Sequence, residues 1–288
     1  MKKRQKHLPR WVIVIVGLVL ILGGLLYYAI SLVFPSQAVE RAAMISGDGN
    51  TVSINGFDIR YRLYNAESEN TPIIVVSGGG GLSSDYLEES LRFLEEEHPV
   101  LFYDARGCGR SQIKADLTNY SIQSFAKEIQ DLKEYFFPSQ KVMIVAHSFG
   151  GIVAMDYAAD HSDDLEELIL ISSVDADYSP YSPTMITSYF KTGLPPRNQS
   201  EANEWYMQHI DVFLGPYFQN EAARKILDST IASYAVIMHV GPSKLDLSTK
   251  LKDVNAPVLV LVGGEKEHPL TGINTAQHLE EIFPNARL

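Results

Sequence analysis

Short apolar runs punctuate the chain at regular intervals. Ile73–Val76, Val100–Tyr103, Val142–Val145, Leu168–Ile171 and Val258–Val262 are each four or five residues long, and most are rich in β-branched side chains. Runs of that length and content predict strands buried on both faces. Helical periodicity lies between them. Leu87, Leu91 and Leu94 form one stripe. Ile122, Phe125, Ile129, Leu132 and Phe136 form a cleaner one, which stops before Pro138, and Ile152 to Ala159 make a third. Ahead of the runs, Val52 and Ile54 alternate into Asn55-Gly56, and Phe57, Ile59, Tyr61 and Leu63 alternate out of it. Asn-Gly between two period-two segments predicts a tight hairpin. A hairpin followed by strand–helix alternation predicts an α/β fold, with a mostly parallel sheet that begins antiparallel.

Residues 175–250 break the rhythm. Tyr178, Tyr181, Tyr189, Phe190, Trp205 and Tyr206 mingle there with Pro180, Pro183, Pro195 and Pro196. This stretch reads as a helical insertion over the sheet, with most of its aromatics packing the insertion itself.

The first 34 residues differ in kind. Trp11 to Phe34 carries no charge, and a helix of that length spans about 36 Å, enough for a bilayer's hydrocarbon core of ~30 Å. Trp11, Tyr27 and Tyr28 suit the interfaces. Lys2, Lys3, Arg4, Lys6 and Arg10 precede the run, which predicts a cytoplasmic N-terminus and an extracytoplasmic remainder. A signal peptide cleaved near Ser36-Gln37-Ala38 is the competing reading, but its apolar region is usually shorter.

Composition narrows the function. The 288 residues include 35 acidic and 24 basic side chains, a net charge of −11. Five of the basic residues sit in the first ten positions, so the remainder is more acidic still. Nucleic-acid binding needs a basic face and is not expected. Cys108 is the single cysteine, which excludes an intramolecular disulfide and a cysteine zinc site. No metal or organic cofactor is expected.

The strongest chemical signal is Val142 to Gly151, where a buried strand runs into Ala146-His147-Ser148-Phe149-Gly150-Gly151 and a helix follows. This is the strand–turn–helix context of a nucleophile elbow. So tight a turn needs small residues two before and two after the serine, and Ala146 and Gly150 supply them. Ser148 would be presented above the sheet, with the Phe149 N–H at the helix start facing a developing oxyanion. His147, adjacent in sequence, should point its side chain away from that of Ser148. A second oxyanion donor should come from the loop after an earlier strand. Ile73–Val76 leads into Ser77-Gly78-Gly79-Gly80-Gly81. Gly79 is the expected donor and Gly78 its supporting neighbour. No Gly-Lys-Ser/Thr follows, so a phosphate loop is not expected.

With these residues in place, the chain resembles the α/β-hydrolase fold family, and within it the proline iminopeptidase-like (S33) branch. The stretches Ser77–Gly81, Asp104-Ala105-Arg106-Gly107-Cys108-Gly109-Arg110-Ser111 and Ala146–Gly151 carry the resemblance, which covers about residues 50–288. It implies a mostly parallel sheet with helices on both faces and a helical cap. It also implies that Asp104–Ser111 is a structural loop with Cys108 packed in it. Ser77 stands where the family usually has histidine, which weakens a peptidase assignment more than a hydrolase one. The family's acid follows the strand after the cap, and spacing from Gly264 puts Glu267 there. Glu265 is the neighbouring choice and Asp175 the outside one. The base should be a histidine beyond the next helix and strand. The sequence reaches Arg287-Leu288, where that strand would begin, and no histidine occupies the slot. His268 lies beside the acid and His278 within the helix.

The expected organisation is a basic cytoplasmic tail (1–10), a transmembrane helix (11–34), a linker (35–50), hydrolase core (51–174), helical cap (175–250) and core again (251–288), truncated before the last strand and the catalytic histidine. The expected function is a membrane-anchored serine hydrolase of cell-membrane location, proline iminopeptidase-like, acting on small peptides through an acyl-enzyme. An aminopeptidase also needs a carboxylate for the substrate ammonium, and Glu201, Glu204 or Asp211 could serve. The alternatives are an esterase or lipase, or a catalytically dead binding protein that keeps the hydrolase shell. Substrate identity and oligomeric state stay open.

Overall fold

The computed structural model describes residues 49–79, 81–114, 116–178, 244–263 and 271–288, with isolated positions between 201 and 240. The apolar run 11–34 lies outside the described residues. Among those residues no helix is long and apolar enough to cross a membrane.

Eight strands form one sheet: β1 (Asn50–Ile54), β2 (Phe57–Tyr64), β3 (Ile73–Val76), β4 (Val100–Tyr103), β5 (Val142–His147), β6 (Leu165–Ile171), β7 (Val258–Leu261) and β8 (Ala286–Arg287). Their spatial order is β1-β2-β4-β3-β5-β6-β7-β8. β1 and β2 pair antiparallel, β2 joins β4 antiparallel, and every pairing from β4 to β8 is parallel. The opening hairpin turns at Asn55 (φ 50°) and Gly56 (φ 75°), two left-handed residues in succession, as an Asn-Gly turn requires.

Among the described residues, four continuous helices cover the sheet: α1 (Asp85–Leu91), α2 (Ile122–Phe136), α3 (Phe149–His161) and α4 (Ile273–Ile282). α2 begins in a reciprocal cap, Ser121 and Ser124 each accepting the other's backbone N–H. The strands sort their side chains by parity. Ile74, Val76, Leu101, Tyr103, Ile144 and Ala146 join the cluster that holds Ile129 of α2, Ile152 of α3 and Leu279 of α4. Ile73, Val75, Val100, Phe102 and Val145 join Tyr86 and Leu87 of α1 in a second cluster. The sheet is therefore buried on both faces, and helices on both faces follow from its apolar runs.

The insertion after β6 leaves and returns side by side. The Tyr178 N–H donates to the Leu245 carbonyl at 2.7 Å, and the Leu247 N–H donates to the Ala176 carbonyl at 3.0 Å. Between these stems only scattered positions are described. Glu201, Glu204, Trp205 and Gln208 are helical, as are Val236, His239 and Val240.

The sequence misjudged several boundaries. The leucine stripe at 87, 91 and 94 breaks, because α1 ends at Leu91 and a 3-10 turn (Arg92–Glu96) takes over. Glu95, Glu96 and Glu97 crowd what would be the C-terminal end of a longer helix, where acids oppose the helix dipole. β6 starts three residues earlier than its apolar run, at Leu165, with an irregularity in its pairing to Val142 and Met143. α3 starts at Phe149, as the elbow motif implied, and runs past the apolar stretch Ile152–Ala159 to His161.

Candidate active site

Every strand from β3 to β8 points the same way, so the loops after their C-terminal ends gather along one edge. In open α/β sheets ligands bind at this edge. β5 ends at His147 and α3 begins at Phe149, which leaves Ser148 alone to make the turn. Its backbone sits at φ 53°, ψ −119°, a sparsely populated region that costs on the order of 1–3 kcal/mol for a residue with a side chain.

The surroundings hold that conformation in place. The Ser148 N–H donates to the Ile171 carbonyl at 3.0 Å, and the Ser148 carbonyl accepts from Gly151 (3.0 Å) and Val174 (3.2 Å). Ala146 is fully buried between β3 and β6. A Cβ at Gly150 would fall 2.6 Å from the Val76 carbonyl oxygen and 2.7 Å from that of Ser77, so only glycine lets α3 start this close to β3. Phe149 is the first helical residue, and its N–H belongs to the first turn, which has no partner within the helix.

The glycine loop after β3 lies directly against this turn. A Cβ on Gly78 would come within 3.0 Å of the Ser148 Cβ and 2.9 Å of the His147 carbonyl oxygen. Gly79 has φ 75°, and a Cβ there would strike Leu82 at 2.4 Å. Gly80 lies outside the described residues. Ser77, in the position where histidine was expected, donates its hydroxyl to the Leu82 carbonyl at 3.3 Å and so closes the loop on itself. Beside Gly78 and Phe149 opens a small, mostly apolar recess with Ser77, Leu82, Tyr103 and Cys108 on its walls.

The Gly78 N–H donates to the Tyr86 hydroxyl at 2.7 Å, and that hydroxyl contacts His147 Nδ1 at 2.8 Å. Burial pulls the His147 imidazole down to about 4, so it is neutral at pH 7. Burial pushes the Tyr86 hydroxyl well above its ordinary range. His147 thus faces the glycine loop as a structural residue. Tyr86 was not singled out from the sequence, because only the fold places α1 beside the elbow.

The Asp104–Ser111 loop braces the same region. Asp104 Oδ1 accepts from the Ser84 N–H (2.7 Å) and hydroxyl (2.9 Å) at the start of α1, and Oδ2 accepts from the Arg110 N–H at 2.9 Å. Arg106 reaches the other way and pairs with Glu128 of α2 through its backbone N–H (2.9 Å) and Nε (2.8 Å). The Glu128 side chain is fully buried, and burial raises its carboxyl against the opposing pull of Arg106. Cys108 is buried, and burial pushes its thiol well up, which leaves a packed thiol and not a thiolate.

Other candidates fare differently. Glu267, Glu265, His268 and Asp211 lie outside the described residues. Glu201 and Glu204 are exposed, and Glu204 accepts from Gln208 at 3.4 Å. His278 lies in α4, as its sequence context implied, and its Nδ1 contacts Asp175 at 2.9 Å and 3.0 Å. Among the described residues no three or more His, Cys, Asp or Glu side chains converge to hold a metal ion.

Comparison with known proteins agrees with this geometry. A family model described as alpha/beta hydrolase fold matches residues 71–234. A proline iminopeptidase of Thermoplasma volcanium is 30% identical over 266 residues, covering 82% of this chain and 86% of its own. One of Saccharolobus solfataricus is 26% identical over 261 residues, covering 82% of each. Among solved structures, a hydrolase from Pseudomonas aeruginosa superposes with a TM-score of 0.67 at 19% identity, over 85% of this chain and 90% of that one. The proline iminopeptidase of Mycobacterium smegmatis gives 0.59 at 18% identity, over 83% and 88%. The sheet order, the turn at Ser148 and these matches together place the chain in the α/β-hydrolase fold family, in its proline iminopeptidase-like branch.

Proposed function

We propose that this hydrolase is a serine aminopeptidase of the proline iminopeptidase type, acting on small peptides through an acyl-enzyme. The observation that carries the reading is Ser148 at φ 53°, held between the Phe149 helix start and the glycine loop. The Ser148 hydroxyl attacks the scissile carbonyl, and its oxygen becomes the acyl-enzyme ester once the amine leaves. The Gly79 and Phe149 N–H groups receive the oxyanion, an arrangement worth about 10²–10³ in rate for each donor. Glu267 orients the imidazole that takes the Ser148 proton. On the family resemblance, that imidazole belongs on the loop after β8.

The uncharged run 11–34 and the basic residues before it support a single-pass anchor with the hydrolase domain outside the membrane. Protease shaving of intact cells checks this, since the domain should be digested only if it lies outside.

Labelling with a fluorophosphonate probe tests the chemistry. Wild type should label and Ser148→Ala should not. A panel of prolyl-arylamides and short acyl esters then separates peptidase from esterase. Equal labelling of the two proteins would remove Ser148 from the mechanism, and no labelling of either would favour the catalytically silent binding shell.

A further inference from the structure

The hydroxyl of Tyr86 joins two segments that must be in register for oxyanion binding. Its ring is buried on α1, packed edge-on against the His147 imidazole with centroids 5.5 Å apart. The Gly78 N–H can only donate, so at 2.7 Å the Tyr86 oxygen is an acceptor there. That leaves the hydroxyl proton to be placed. His147 Nδ1 stands 2.8 Å away and is the one further partner of this hydroxyl among the described residues. If Nδ1 carried a proton and donated, the buried hydroxyl proton would have no acceptor, at a cost of the kind that buried polar groups avoid. The arrangement that satisfies every group runs in one direction: Gly78 N–H to Tyr86 oxygen, then Tyr86 O–H to an unprotonated His147 Nδ1. It fixes His147 as the neutral tautomer with its proton on Nε2.

This chain has a consequence for the neighbouring amide. Gly78 spends its N–H on Tyr86, so it is not available to an oxyanion. The Gly79 N–H lies on the peptide directly after the one so held, and Gly79 itself sits at φ 75°. We propose that Tyr86 is a positioning residue for the oxyanion site, clamping the glycine loop to the elbow through Gly78 and His147 so that Gly79, and not Gly78, presents its amide beside Ser148. The inference rests on the serine-hydrolase reading for its purpose, but the clamp itself is a property of the folded chain.

Two kinds of measurement separate the clamp from that reading. The first needs no turnover. The ring ¹⁵N resonances of His147 should report an unprotonated Nδ1 and a protonated Nε2, and the Gly78 amide should be strongly protected from exchange. Tyr86→Phe should abolish the tautomer preference and speed Gly78 exchange, with little change in the urea midpoint. The second is the rate of fluorophosphonate labelling at Ser148, which should fall about tenfold or more in Tyr86→Phe, as for a disturbed oxyanion donor. His147→Asn offers an amide oxygen near the Nδ1 position and should retain most of the rate, whereas His147→Leu should lose it. A protonated Nδ1 in wild type would overturn the proposal. So would a Tyr86→Phe variant with unchanged Gly78 exchange and labelling rate. Absence of labelling in wild type would count against the hydrolase reading alone, with the tautomer and the exchange rates still deciding for or against the clamp.

Discussion

The Val174 N–H donates to the Ser148 carbonyl oxygen at 3.2 Å, which ties the loop leaving β6 to the turn that ends β5. The next residue is Asp175, whose carboxylate meets His278 Nδ1 at 2.9 Å. A histidine–carboxylate pair one residue from the elbow's own hydrogen bonding invites a catalytic reading. The pair is wet, with the His278 side chain 45% accessible and Asp175 29%. Pairs this wet contribute about 0–1 kcal/mol. His278→Ala should therefore shift stability by less than about 1 kcal/mol and leave Ser148 labelling unchanged. Complete loss of labelling in that variant would instead mark the pair as the base.

Gly150→Ala should be far more damaging than an ordinary helix substitution. Its Cβ would meet two backbone carbonyl oxygens, at 2.6 Å and 2.7 Å, neither of which can rotate away. The start of α3 must then move off β3. A loss of about 1–3 kcal/mol in urea denaturation is expected, with fluorophosphonate labelling abolished even where the protein stays folded.

Breaking the Arg106–Glu128 pair should cost more than any surface pair. Removing one partner leaves a buried charge with no compensation, typically about 3–5 kcal/mol. Arg106→Met and Glu128→Gln should each destabilise strongly. The double variant should be less damaged than the sum of the two, which a double-mutant cycle in denaturant would read directly.

The His147 imidazole sets an acid limit. Its ordinary value is 6.5, and burial brings it down to about 4 in the folded protein. Between those values the unfolded chain binds a proton that the folded one does not, so stability rises with pH across this window and is lost as pH falls through it. The full shift corresponds to about 3 kcal/mol, and the half-buried position of the residue reduces it. His147→Asn should flatten the difference between pH 6.5 and pH 4 relative to wild type, with the carboxylates contributing equally to both.

Much of this was legible because it is local. Asn55-Gly56 specifies its own turn, and Ala146 to Gly151 carries the small residues that the bend at Ser148 demands. The uninterrupted apolar run Ile73 to Val76 already implied cover on both faces. Other features depended on partners distant in sequence. Tyr86 reads as one more apolar position on a short helix until β5 is laid beside it. α3 is buried over almost its whole circumference, so it has no polar face, and only the elbow motif marked its start. The leucine stripe across Leu91 and Leu94 promised a longer helix, and the following glutamates ended it. Glu267 was placed by family spacing, and it falls outside the described residues.

The paired stems at Ala176–Leu247 and Tyr178–Leu245 give the insertion adjoining points of entry and exit. A segment whose two ends already touch can gain or lose whole helices while the sheet beneath stays undisturbed, since lengthening such a loop adds only slowly to its closure entropy. The insertion can therefore be exchanged at these stems while the turn at Ser148 and the sheet keep their own hydrogen bonds.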